Sequence, residues 1–326
     1  MALWRAHDSE VFAATIAVAA DRVGVQPLAV EKDYWICEVL RAIAACHGGE
    51  FVFKGGTSLE KLRIIERFSE DLDLLAVGDF VTVRAAKRAM KAMLHTAASV
   101  TGGVYKDRVS GGTLGTATQQ ARLELPLGYG DPSSGIADPT SVLIELGQSG
   151  GPSPSLKAPV ESLLLRELKG SIDGEWEDLS AFEVTILHPG RTLIEKLLRV
   201  NNFVVDPGRR YSTHGLARVG RQFYDIWALL GHPKVTELLA NAEAVRDILA
   251  SAFEVSERLI SDHPVPDGGF AASAAFDPVG EFSGVLRREH DVAMTSLFYG
   301  TSPPSFDDVM ERVHSCAELL NPICRK

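Results

Sequence analysis

A chain of 326 residues that is 45% hydrophobic and 23% charged is long and apolar enough for two domains with their own cores, which sets aside a disordered protein. Its 33 Lys and Arg against 43 Asp and Glu give a formal charge of −10, which argues against non-specific coating of nucleic acid. Four scattered cysteines (Cys37, Cys46, Cys316, Cys324) have no CxxC spacing, and no run approaches the roughly 18 to 20 apolar residues needed to cross a bilayer, so reduced thiols and a soluble, cytoplasmic protein are expected.

Asp8 and Ser9 open a periodic apolar pattern that predicts a helix to about Arg22. After Pro27, AVEKDYWICEVLRAIAAC carries apolar residues at three-and-four spacing and predicts a second helix ending at His47-Gly48-Gly49. FVF at 51–53 reads as a short buried strand, Lys54-Gly55-Gly56 as a turn, and TSLEKLRII as a helix opening at Thr57 or Ser58. SEDLDLLAV alternates like a strand, and VRAAKRAMKAMLHTAASV is a strongly basic helix. The Gly-rich SGGTLGT at 110–116 lacks the GKS/T ending of a P-loop and reads as a hairpin or loop. ARLELPLGY, SVLIELGQ and FEVTILHP are three more strands, with the loop GQSGGPSPSLKAP between the last two; DPSSGIADP and DHPVPDGG read as surface loops. From Arg191 onward the pattern is helical: TLIEKLLRV with a Thr192 to Glu195 capping box, LARVGRQFYDIWALLG, and DDVMERVHSCAELL. That shift places a boundary near Pro189-Gly190, with a mixed α/β lobe over 1–190 and a helical lobe over 191–326 that completes the active site.

The chemistry concentrates at FKGGTSLEKLRIIERFSEDLDLLAV, residues 53–77. In an extended strand Asp71 and Asp73 project on one side while Leu72 and Leu74 point into the core. Two carboxylates that close repel unless a cation lies between them, and hard oxygen ligands suit Mg²⁺ or Mn²⁺, which completes its shell with water and substrate phosphates. Gly55 and Gly56 let the backbone approach a ligand, the next helix aims free N–H groups at anionic oxygens, and Thr57 and Ser58 add hydroxyl donors. A lone GG or a lone DxD is more often a turn or a solvated edge; their order and closeness here read as a metal-plus-triphosphate site, with an NTP as substrate. Glu145, on the SVLIELG strand, is the candidate third carboxylate.

KGGTSLEKLRIIERFSEDLDL resembles the signature of the AbiEii/AbiGii toxin family, nucleotidyltransferase-like proteins that include the mycobacterial MenT-type toxins. VEKDYWICEVLRAI at 30–43, HPGRTLIEKLLRV and RQFYDIWALL resemble that family's preceding helix, its lysine helix and its late Asp-containing helix, so the likeness spans about 30 to 230; the tail after about 235 matches nothing. The resemblance implies a polymerase-β-like nucleotidyltransferase core, a mixed sheet with helices, plus a helical C-terminal lobe. It gives Gly56, Thr57 and Ser58 the triphosphate, Asp71 and Asp73 the metal, and makes Lys196 and Asp225 complete the active site. Several MenT-type members add pyrimidine nucleotides to the 3′ end of tRNA, and some are silenced by a kinase antitoxin at the serine matching Ser69. The function implied is an Mg²⁺-dependent nucleotidyltransferase toxin that moves NMP from an NTP to the tRNA acceptor end, blocks translation, and is countered by a winged-helix or kinase-like antitoxin. NMP transfer to a protein or small molecule, and a catalytically silent binding module, are the alternatives.

Other readings compete at individual residues. Glu195 to Arg199 pairing would make the Lys196 helix a charged outer face, and Asp225 could form a buried pair with Arg221. Arg67 reads as a surface arginine flanking a strand or as a further ligand contact. Ser69, two residues before Asp71, is expected on the same strand face as the two aspartates, where a phosphate would repel the triphosphate. Lys196, Arg199, Arg209, Arg210, Arg218 and Arg221 could form a basic surface or a solvated helix face. HExxH, GxSxG and a cysteine in a nucleophile setting are all missing from the sequence, which points away from zinc and acyl-enzyme chemistry.

Overall fold

The computed structural model describes residues 2–131, 136, 138–206, 215–259 and 263–322. They divide into two compact units: one built from Met1–Leu62 and Phe68–Ile186, the other from Arg63–Arg67 and Leu187–Lys326. The chain therefore leaves the first unit for five residues and returns just ahead of the aspartates.

The first unit begins with helices α1 (Trp4–His7), α2 (Ser9–Val23) and α3 (Pro27–His47). Asp8 caps α2 by accepting from the backbone N–H of Glu10 and Val11, as its position before the apolar pattern predicts. Strand β1 (Phe51–Lys54) leads into the seven-residue helix α4 (Gly55–Lys61), followed by β2 (Asp71–Ala76), α5 (Val83–Thr101), β3 (Val104–Gly111), β4 (Thr118–Glu124), β5 (Ser141–Gly147), β6 (Ser155–Val160), α6 (Leu163–Leu168) and β7 (Phe182–Leu187). Among the described residues the strands form one mixed seven-stranded sheet in the order β3-β4-β5-β2-β1-β7-β6. The unit is α/β, as expected.

Register fixes which residues share a face. β1 and β2 are antiparallel with Lys54 opposite Asp73, β2 and β5 are parallel with Asp73 opposite Glu145, and β4 and β5 are antiparallel with Gln120 opposite Glu145. Side chains alternate along each strand, so Leu72, Leu74, Ile144, Leu146, Ala121 and Leu123 fill the buried face while the polar row lies on the other. α3 and α5 pack on each other and on the sheet. From α5 come the buried Met90, Met93 and Leu94.

Several elements depart from the pattern read in the sequence. β3 and β6 were not expected: β3 is a largely exposed edge strand whose VYKDRVSG has no apolar alternation, and β6 is the opposite edge, where Pro159 is tolerated because an edge position need not donate inward. The helix after the Gly-Gly turn starts at Gly55 rather than at Thr57 and stops at Lys61, because Arg63 takes a left-handed backbone (φ 58°) that turns the chain out of helix. α6 was likewise unforeseen, in a stretch to which the sequence reading assigned no element. SGGTLGT is the connection of the β3–β4 hairpin.

A buried charge cluster fixes α4. Lys61 is paired with Asp33 of α3 and, at 2.9 Å, with Glu60; Glu60 also pairs with Arg166 of α6, and Asp33 accepts the Leu163 N–H at 2.6 Å. Burial works against charge at Glu60, yet Lys61 and Arg166 hold its carboxyl down to about 2. The Gly-Gly turn is thus anchored from its helical side by interactions the sequence reading did not assign.

The second unit holds α7 (Pro189–Val205), α8 (Gly215–Leu230), α9 (Pro233–Ala240), α10 (Ala242–Leu259), α11 (Ser283–Leu297) and α12 (Phe306–Ser315). α7 begins three residues before the expected capping box: Pro189 is its first residue, His188 is the cap, and Thr192 is buried inside the helix. Glu195 pairs with Arg191 at 3.2 Å rather than with Arg199. Phe223, Phe276 and Phe306 cluster in the core with ring centroids 5.7 and 5.3 Å apart. Gly220 lets α8 and α11 touch backbone to backbone, since a Cβ there would lie 2.0 Å from the Glu289 carbonyl oxygen. Among the described residues no single helix is long and apolar enough to cross a membrane. Cys37, Cys46 and Cys316 are free thiols. Arg209, Arg210, Cys324 and most of DPSSGIADP lie outside the described residues.

Candidate active site

Each unit carries its own group of the candidate residues. In the first, strand alternation puts Asp71 and Asp73 on the partly open sheet face, both half-buried, with Leu72 and Leu74 fully buried behind them. Asp73 packs directly on the turn: Gly55 has φ 81°, and a Cβ built there would lie 2.0 Å from Asp73 Oδ2. Glycine is therefore needed twice over, for a left-handed backbone and for the space the carboxylate occupies. Gly55→Ala is expected to lose about 1–3 kcal/mol of stability and to displace Asp73, measured as a lower melting temperature together with reduced activity.

Across the sheet the polar face reads Lys54, Asp73, Glu145, Gln120 in consecutive register. Glu145 is thus the cross-strand neighbour of Asp73, and its Oε1 accepts from Gln120 Nε2 at 2.9 Å. Among the described residues no three His, Cys, Asp or Glu side chains form a group able to hold a metal ion by themselves. The carboxylate pair suits a hard cation that takes the rest of its shell from water and phosphate, which is how Mg²⁺ is usually held. Lys54 and Gln120 were not singled out in the sequence; a position one residue before the Gly-Gly turn was the available signal for Lys54.

Thr57 and Ser58 are buried, and their hydroxyls are engaged with the main chain: Thr57 Oγ1 donates to the Asp71 carbonyl at 2.6 Å and Ser58 Oγ to the Gly55 carbonyl at 2.9 Å. They tie the turn to the start of β2. Gly56 is half-buried in the first turn of α4, which has no side-chain cap. Ser69 is half-buried in irregular chain two residues ahead of β2, not in the strand.

In the second unit Lys196 and Asp225 come together. Lys196 is only 8% exposed, so its helix face is interior, and Nζ pairs with Asp225 Oδ2 at 2.7 Å and donates to Gln222 Oε1 at 2.9 Å. The partner expected for Asp225, Arg221, gives way to Arg67. Arg67 is 1% exposed rather than on the surface, and donates through Nε to Oδ1 and through Nη2 to Oδ2, each at 2.7 Å. Burial opposes the Asp225 charge, but Arg67 and Lys196 overcome it and hold the carboxyl down to about 2. For Lys196 burial dominates over the attraction of Asp225, and its ammonium is brought down to about 8. Of the basic residues grouped in the sequence, Lys196 is interior while Arg199 and Arg218 are exposed.

No curated protein matches the chain. Similar solved structures include JHP933 from Helicobacter pylori, 14% identical over 87% of this chain and 95% of that one with a TM-score of 0.33. A candidate nucleotidyltransferase from H. pylori is 14% identical over 86% and 95%, with a TM-score of 0.34. The family model described as nucleotidyl transferase AbiEii toxin, type IV TA system, matches residues 38–312, which include every candidate residue above, and the chain belongs to that family of nucleotidyltransferase toxins.

Proposed function

We infer that this toxin transfers NMP from an NTP to the 3′ end of tRNA in a metal-dependent reaction, on a polymerase-β-like core. The observation that carries the reading is the placement of Asp71 and Asp73 on one sheet face with the Asp73 carboxylate seated against the Gly55 turn. Mg²⁺ or Mn²⁺ held by Asp71 and Asp73, with Glu145 beside them, would supply activation of the acceptor hydroxyl and charge neutralisation at the α-phosphorus. The backbone of Gly55 and Gly56 would lie along the triphosphate, with Thr57 and Ser58 holding that turn in shape. Lys196 has three N–H donors, two of them engaged by Asp225 and Gln222, and the third would bind triphosphate oxygens and stabilise departing pyrophosphate. Asp225 orients that lysine.

A type IV family implies an antitoxin partner. A kinase-like antitoxin would act at Ser69, where a phosphate two residues from Asp71 would repel the incoming triphosphate; a winged-helix antitoxin is the other form. The reaction belongs in the cytoplasm, where tRNA and NTPs are found.

Incubating the purified chain with α-labelled NTPs, Mg²⁺, total RNA and cell lysate tests the acceptor. Label is expected in tRNA, removable by 3′ exonuclease. Label in protein or in a small molecule would replace tRNA as the acceptor, and no metal-dependent label anywhere would leave a silent binding module.

A further inference from the structure

Helix α5 carries Arg84, Lys87, Arg88, Lys91 and His95 at three-and-four spacing, so they line one face, while Ala86, Met90, Met93 and Leu94 are buried on another. The helix has no Asp or Glu, in a chain whose formal charge is −10. A merely solvated helix face mixes signs, because like charges three or four residues apart repel and cations near a helix N-terminus oppose its dipole. Arg84 with Arg88 and Lys87 with Lys91 are such pairs, and the first turn holds no acid to offset them. Among the described residues the side chains of Arg84, Lys87 and Arg88 make no hydrogen bond or ion pair; Arg84 and Arg88 are exposed and Lys87 is half-buried. These cations lower the stability of their own helix, and no internal contact explains them.

The stripe is continuous with the edge of the sheet. Lys91 Nζ donates to Asp107 Oδ2 of β3 at 2.9 Å, and the His95 and Tyr105 rings lie 4.7 Å apart. Asp107, the acid at this junction, also accepts from the Tyr105 hydroxyl and from Gln119 Nε2 at 2.6 Å, so it is already engaged. Beside it Arg108 is exposed and makes no ion pair among the described residues. Register then leads inward: Lys106 on β3 lies opposite Arg122 on β4, Arg122 opposite Leu143 on β5, and Leu143 opposite Asp71 on β2. Three strand spacings, about 14 Å, separate that edge from Asp71, a distance that the unpaired last nucleotides of an RNA strand can span.

We propose that the α5 stripe and Arg108 form a binding face for the phosphate backbone of the RNA acceptor, which reaches Asp71 across the β3 edge. This rests on the reading that the acceptor is tRNA, and it assigns where the body of that RNA is held. One cation per helical turn, about 5.4 Å apart, presents charge in a row as a phosphate backbone does, and such contacts position a nucleic acid without reading its sequence. A membrane surface would need an apolar helix face turned outward, and that of α5 is buried. A protein partner would need aromatic or large apolar anchors, and positions 84, 87, 88 and 91 hold none.

The combined variant Arg84→Gln, Lys87→Gln, Arg88→Gln tests this, beside a control that removes the same charge from exposed positions elsewhere: Lys157→Gln, Lys234→Gln, Arg288→Gln. Binding of unfractionated tRNA is measured over a range of salt. Wild type and control should bind alike. The α5 variant should bind at least about tenfold more weakly, with the slope of log affinity on log salt smaller by about two to three. Its melting temperature should hold or rise, because repulsion within the helix is removed. In transfer, KM for tRNA should rise at least about tenfold with kcat kept. Wild-type tRNA affinity and salt slope in the α5 variant, or an equal loss in the control, would overturn the proposal; so would loss of binding to phosphatidylserine vesicles with tRNA binding kept. Binding of tRNA that depends on α5, with no label entering RNA, would support the face and remove the reading that tRNA is the acceptor.

Discussion

Asp71→Asn should lower nucleotidyl transfer by about 10³-fold while the fold stays intact, and Asp73→Asn should do the same. Asparagine keeps the shape of the side chain and removes the charge that would attract a divalent cation. The hydrogen bond that ties the turn to β2 runs from Thr57 to the Asp71 main-chain carbonyl, so it survives the substitution. Both aspartates are half-buried at the open sheet face, where neutral isosteric changes cost about 0.5 kcal/mol or less. Melting temperature should therefore hardly move, and growth inhibition on overexpression should disappear with the activity. Undiminished toxicity in Asp71→Asn would mean that the harm arises from something other than the chemistry of this strand.

The largest effect on stability is expected from Asp225→Ala. Arg67 and Lys196 would both lose the buried carboxylate they share, and breaking a buried pair by removing one partner costs about 3–5 kcal/mol. For a unit of this size that corresponds to roughly 6–20 °C in melting temperature, read by calorimetry at pH 7. The pH dependence has a definite sign. Asp225 has its carboxyl held at about 2 in the folded chain against an ordinary 3.8, so its contribution is complete above pH 4 and is lost as pH falls through the folded value. The gap between wild type and Asp225→Ala should accordingly narrow on acidification. Lys196 works in the opposite direction on the alkaline side: with its value lowered from 10.5 to about 8, the folded state gives up that proton first, and the cost of burying the charge is relieved as pH rises through 8. Transfer that depends on the charged lysine should fall over the same alkaline range.

The DxD strand could be read from four residues, because Leu72 and Leu74 at alternate positions leave Asp71 and Asp73 only one side to occupy. The long helices were legible for the same reason, through apolar spacing and end signals such as Asp8 and Gly48. The edge strand β3 was not, since exposed pairing at a sheet edge demands no apolar pattern from Tyr105, Lys106, Asp107 or Arg108. Nor could the depth of Lys196 be seen: Glu195 and Arg199 beside it give the helix the look of an outer face, and only the packing of Arg67 and α8 shows that it is interior. The pairing of Arg67 with Asp225 has no local signal at all. Thr57 and Ser58 show a subtler limit, since a hydroxyl next to a glycine turn can serve a ligand or the turn itself, and here both bond to main-chain carbonyls.

The claim on which the account depends is that Asp71 and Asp73 hold a divalent cation beside a bound triphosphate. Mn²⁺ binding followed by electron paramagnetic resonance, with a non-hydrolysable NTP analogue present, tests it most directly. The account predicts a bound Mn²⁺ signal in the wild type that weakens at least about tenfold in affinity in both Asp71→Asn and Asp73→Asn. Mn²⁺ affinity in those two variants equal to that of the wild type would contradict it.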